Sequence, residues 1–131
     1  MSFRPALTAA IAAALVGLGA GSALADTVNH NACFLSSNWE GWKSPDPSTI
    51  YLRVTMNRVF RLDLAHPASD LDDPSVHLVT TIRGSNWICS PLDLSQLSVA
   101  DNHGLREPLF VRNITELTPD QVKAIPPKYR P

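Results

Sequence analysis

Residues 50–64 read Ile50-Tyr51-Leu52-Arg53-Val54-Thr55-Met56-Asn57-Arg58-Val59-Phe60-Arg61-Leu62-Asp63-Leu64, and two alternations meet inside this stretch. Ile50, Leu52, Val54 and Met56 fall on one side, with Tyr51, Arg53 and Thr55 on the other, the period of two of a strand with one buried face. Phe60, Leu62 and Leu64 repeat the pattern against Val59, Arg61 and Asp63. A β-hairpin is therefore predicted, and its register follows because paired residues share a face. A two-residue turn at Asn57-Arg58 would set Val54 against Arg61 and Leu52 against Asp63. A three-residue loop Met56-Asn57-Arg58 instead pairs Val54 with Phe60, Leu52 with Leu62 and Ile50 with Leu64. The expectation is thus an odd-length loop with Asn57 or Arg58 in the left-handed region. In that register Arg53 and Arg61 lie opposite each other on the outer face. Like charges so placed repel unless Asp63 or a bound anion lies nearby, which makes the two arginines a candidate anion- or partner-binding pair.

Upstream, Ser44-Pro45-Asp46-Pro47-Ser48 predicts a turn outside any ladder. Downstream, Ala68–Pro74 is acidic and turn-rich, with room for one helical turn. Val76, Leu78, Thr80 and Ile82 then alternate with His77, Val79 and Thr81, and Gly84-Ser85 predicts a type II′ turn. That turn would set Ile82 against Trp87 and Thr80 against Cys89, with Trp87 and Cys89 facing inward. A third pair is expected between 97–101 and 109–114 through Asn102-His103-Gly104. Thr118-Pro119-Asp120-Gln121 is a helix start, with Thr as N-cap, Pro at the first position and Gln completing a capping box. Pro126-Pro127 ends the helix, leaving residues 126–131 as an extended, exposed tail. The fold class is all-β: about six antiparallel strands in a meander, forming a small barrel-like or sandwiched sheet with a short C-terminal helix. The alternative is an open α+β layer.

Residues 1–25 carry Arg4, the apolar run from Ala6 to Ala20, and Ala23-Leu24-Ala25 ahead of Asp26, the pattern of a bacterial-type secretory signal peptide. Cleavage there leaves 106 of 131 residues, enough for one core and too few for two. Residues 26–32 read as a flexible tether and 33–125 as a single β-rich domain. Without Arg4, ten Lys and Arg face twelve Asp and Glu, a balance that argues against nucleic acid as a partner. No transmembrane segment is expected after cleavage, so the predicted location is periplasmic or secreted. Cys33 and Cys89 are the only cysteines, and in an oxidising compartment such a pair is expected to form a structural disulfide. No C-x-x-C or H-x-x-x-H spacing supports a metal or redox role.

Cys33-Phe34, the hairpin with Asn57–Leu62, Ile88-Cys89-Ser90 and the closing Ile114 to Thr118-Pro119 together resemble a family of small exported bacterial proteins defined only as a domain of unknown function. The resemblance spans nearly all of 33–125 and implies no activity. Many members have four cysteines. This chain lacks the two near Ala65–Ser69 and Glu107–Leu109, which leaves Cys33 and Cys89 as the other pair.

Trp39 and Trp42 are candidates for a sugar- or partner-binding surface, while Trp87 is placed on the core face. Asp63, Asp70, Asp72 and Asp73 match no EF-hand spacing, and His30, His66, His77 and His103 are scattered. His77 with Asp63 or Asp93 has no accompanying nucleophile elbow. No catalytic residue, metal ligand or cofactor is assigned. The function expected is a non-catalytic binding or structural module of the bacterial envelope, its partner an envelope protein or cell-wall component. The alternative is a small periplasmic hydrolase or metal-dependent enzyme.

Overall fold

A computed structural model of the chain describes residues 33–131. The signal peptide expected over 1–25, the tether over 26–32 and His30 lie outside the described residues. The hairpin is formed by β3 (Thr49–Val54) and β4 (Arg58–Leu64), if the strands are numbered in chain order after β1 (Phe34–Leu35) and β2 (Trp39–Asp46). Leu52 pairs with Phe60 and Ile50 with Leu62. The loop is odd in length, as expected, but it comprises Thr55-Met56-Asn57, displacing the register by two residues. The cause is the turn itself: Met56 and Asn57 adopt φ of 56° and 83°, and the Arg58 N–H donates to the Thr55 carbonyl at 3.4 Å. A displacement of two leaves every strand side chain on its own face. Ile50, Leu52, Val54, Phe60 and Leu62 therefore still line one buried surface, while Met56, first residue of the expected loop, is the central and exposed residue of the loop observed.

β2 and β9 (Val111–Glu116) flank the hairpin in a four-stranded antiparallel sheet of order β2-β3-β4-β9. β2 corrects the expectation of a turn over 44–48, because it continues through Ser44, Pro45 and Asp46. As an edge strand it tolerates a residue with no N–H to donate, and its register shifts between Lys43 and Asp46. A second sheet runs in the order β5-β7-β8, comprising His77–Val79, Ser98–Ala100 and Arg106–Pro108. β1 pairs with β6 (Trp87–Ile88) as a third.

The Gly84-Ser85 hairpin does not form, since β5 pairs with β7 and β6 with β1. Inward and outward positions are consequently reversed around Cys89. Ile88 is fully buried, Trp87 is 50% exposed and Cys89 is exposed. The turn at 102–104 does form, with Gly104 at φ 84° and the Asp101 carboxylate accepting from the His103 and Leu105 N–H groups. It joins β7 to β8, and the chain then crosses to the first sheet as β9 beside β4. The fold is thus all-β and sandwich-like, with three antiparallel sheets in place of a continuous meander and no closed barrel among the described residues.

The core fills the space between the sheets. Phe34 and Phe60 meet with ring centroids 4.6 Å apart, and Ile88, Leu94 and Leu97 surround them at 1% exposure or less. Burying each such side chain contributes roughly 1.5–3 kcal/mol. The disulfide Cys33–Cys89 closes 56 residues and holds Phe34 and Ile88, one residue in from each cysteine, against this core.

Helix α1 (Pro119–Ala124) carries the expected capping box: Thr118 Oγ1 accepts from the Gln121 N–H at 3.3 Å and Gln121 Oε1 from the Thr118 N–H at 2.8 Å. The extended tail expected over 126–131 is not observed. Pro127–Tyr129 form a 3-10 turn, and Arg130 Nη2 donates to the carbonyls of Lys123 and Ile125, each at 2.9 Å. Helix ends leave carbonyls without intrahelical partners, and here a following arginine satisfies them by folding the tail back. That places Tyr129 near β2.

Candidate functional site

The edge strand β2, the acidic loop at 68–76 and the folded-back tail form the walls of a groove. On β2, Trp42 pairs in register with Leu52, and its partly buried ring packs against the core, as does that of Trp39. The Ser44 hydroxyl donates to the carbonyls of Asp46 and Thr49 at 2.6 and 2.8 Å, tying down the irregular end of the strand. The loop is fastened to the same end by the Ala68 N–H, which donates to the Pro47 carbonyl at 2.8 Å. Within it, Leu71 and Ala68 turn inward with 4% and 6% exposure, leaving Asp70, Asp72 and Asp73 outward. Asp70 adopts φ 59° and its carbonyl accepts from the Asp73 N–H at 3.0 Å.

Between these walls lies an open cleft of about 310 Å³ bordered by Trp42, Lys43, Ser44, Asp72, Asp73, Lys128 and Tyr129. A second, of about 150 Å³, is bordered by Pro45, Asp46, Pro47 and Asp70. Leu71, Asp72 and Tyr129 border both, so the two form one groove along β2. Carboxylates and ammonium groups occur in equal number on the larger cleft, which gives it no dominant sign. The Ser75 N–H, donating to Asp73 Oδ1 at 2.8 Å, holds the Asp73 carboxyl below the usual carboxylate range, so it is an anionic acceptor at neutral pH. Lys128 Nζ lies 4.4 Å from the centroid of the Tyr129 ring, a cation–π contact that orders the tail wall. The arrangement offers aromatic surface with hydrogen-bond donors and acceptors beside it, the composition of a recognition site.

The other sequence candidates fall elsewhere. Arg53 and Arg61 are not opposite each other, because the displaced register sets Arg53 against Val59 and Arg61 against Tyr51. Each instead faces its own carboxylate, Arg53 Nε at 3.2 Å from Glu40 and Arg61 Nε at 2.8 Å from Asp63, so the local charge is balanced. Trp87 lies on the short β1–β6 sheet opposite Leu35. Asp93 accepts from the N–H groups of Cys89 and Ser90 and from the Ser90 hydroxyl. Those backbone donors, Cys89 foremost, hold its carboxyl below the usual range, and its work is to cap the 3-10 turn Pro91–Leu94. With Asp63 on Arg61 and His77 in a different sheet, these residues do not assemble around one centre. No group of three or more His, Cys, Asp or Glu is placed to hold a metal among the described residues.

Of the two aromatic residues that border the groove, sequence reasoning singled out Trp42 and not Tyr129. Its one mark in the sequence is that of a single aromatic residue in an otherwise polar, proline-bearing tail, which is ordinary at a protein surface. Compared with known proteins, no family model, no curated protein and no solved structure matches the chain.

Proposed function

We propose that the protein is an exported, non-catalytic binding module of the bacterial envelope, engaging an envelope protein or a cell-wall component through the groove beside Trp42. The observation that carries this reading is the convergence of three separate chain segments, β2, the 68–76 loop and the tail, on one groove that holds an aromatic residue from each end of the domain. The Cys33–Cys89 disulfide supports an oxidising compartment. So do the leader-like sequence over 1–25 and the resemblance to small exported bacterial proteins.

Two measurements test it. Intact mass of the protein recovered from a periplasmic fraction, alkylated with and without prior reduction, should begin at Asp26 and gain thiol labels only after reduction. A photo-crosslinking side chain placed at Lys43 in cells should capture envelope material, while the same group at Arg112, on β9 away from the groove, should not. A retained leader, or equal capture from both positions, would defeat the proposal.

A further inference from the structure

The groove's walls narrow the class of ligand. Its two aromatic residues are distributed along its length: Trp42 borders the larger cleft and Tyr129 borders both. The larger cleft is at the low end of the roughly 300–1,000 Å³ typical of small-molecule sites, and the smaller continues it, which suits an elongated ligand of linked small units. Asp72 also borders both clefts, and Asp73 is ionised, so acceptors for hydroxyl groups lie along the same path as the rings. Lys43 supplies a donor, and over both clefts four carboxylates (Asp46, Asp70, Asp72 and Asp73) face two ammonium groups (Lys43 and Lys128), an excess that disfavours an anionic ligand.

One mode by which an extended peptide binds is the addition of a strand to a free edge such as that of β2. That edge is poorly suited to it. Pro45 has no N–H, the register shifts between Trp39 and Gly41 and again between Lys43 and Asp46, and the Ser44 hydroxyl already occupies the Asp46 carbonyl of that strand. Strand addition needs an unbroken row of donors and acceptors, whereas stacking on aromatic surface does not.

We infer that the groove is an oligosaccharide-binding site, taking at least two consecutive sugar residues of a neutral glycan strand, one against Trp42 and the next against Tyr129. This inference rests on the binding-module reading above. The test uses the full mature chain, labelled with nitrogen-15, and two probes: neutral glycan strands of N-acetylglucosamine, and the free stem peptide of cell wall. Glycan strands should shift the indole N–H resonance of Trp42 and the amides of 128–129 in a saturable way. Trp42→Ala should weaken binding by about tenfold or more, equivalent to about 1.4 kcal/mol. Tyr129→Ala should do the same while leaving the spectrum of the β-sheets intact, which keeps the test valid where Trp42→Ala perturbs the core. Shifts caused by the stem peptide and not by glycan would overturn the saccharide assignment and leave the binding module standing. The saccharide assignment also falls, with the binding module again intact, if neither probe binds while the Lys43 crosslinker still captures an envelope protein. Silence from both probes together with no crosslink would overturn both.

Discussion

Replacing Cys33 and Cys89 together by serine should lower stability by about 4 kcal/mol. The bridge closes 56 residues, for which loss of loop-closure entropy in the unfolded chain gives roughly 14 cal/mol/K, or about 4 kcal/mol at 25 °C. The position of the bridge makes this an unusually direct test of that origin. Cys89 is exposed and Cys33 only partly covered, so serine at either position buries no unpaired hydroxyl and leaves no cavity. The native contacts of Phe34 and Ile88 are retained. The change therefore acts on the unfolded ensemble, which becomes larger and exposes more surface, and the urea dependence of the unfolding free energy should steepen as well. For a domain of this size 4 kcal/mol corresponds to a fall in Tm of roughly 15–30 °C. Urea titration of parent and double variant, followed by tryptophan fluorescence and by far-ultraviolet circular dichroism, gives both quantities. A loss below about 1 kcal/mol with an unchanged slope would refute the reasoning, and would mean that the unfolded chain holds the two ends together without the bond.

Phe34→Ala removes a fully buried ring in contact with Phe60 and should cost about 3–5 kcal/mol; a urea midpoint within error of the parent would contradict the core assignment. Asp93 has its folded-state pKa depressed, so its contribution is present above the unfolded carboxylate value, near about pH 4, and is lost as pH falls through the lower folded value. Asp93→Asn should accordingly reduce stability at pH 7 and flatten its decline below about pH 4, an expectation that fails if urea midpoints at pH 7 and pH 3 fall in parallel for both proteins. Met56→Asn places a residue that tolerates the left-handed region at φ 56°, on an exposed tip, and should raise stability by about 0.5–1 kcal/mol; an unchanged or lower midpoint in the same titration would count against strain at the turn.

The features legible in the sequence are those decided by neighbours along the chain. Alternation over 50–64 establishes which face of each strand is buried, and the Thr118–Gln121 capping box is local by construction. Alternation is blind to a register displaced by two, because such a shift moves no side chain to the other face. The choice between Leu52–Leu62 and Leu52–Phe60 belonged to the conformation of Met56 and Asn57. Gly84-Ser85 shows the opposite failure. Its local chemistry suits a hairpin, yet β5 and β6 each gain more from distant partners, and the bridge at Cys89 brings β6 to β1. For the site, Trp42 was legible as an aromatic residue near the start of the domain. Tyr129 was not, because the tail's position depends on the open carbonyls of Lys123 and Ile125, which exist only once α1 has formed and ended.

The irregular course of β2 has a consequence for the molecule among its own copies. A sheet with a free, straight edge invites pairing with the same edge of another chain, and the hazard grows with local concentration. Here one outer strand of the larger sheet is interrupted by Pro45 and two register shifts. The other, β9, has the 3-10 turn Pro91–Leu94 packed near it. The edges of the second sheet are three residues long, and one of them ends at Pro108. Among the described residues no edge offers a long uninterrupted template, which removes the geometry that edge-to-edge pairing of copies requires.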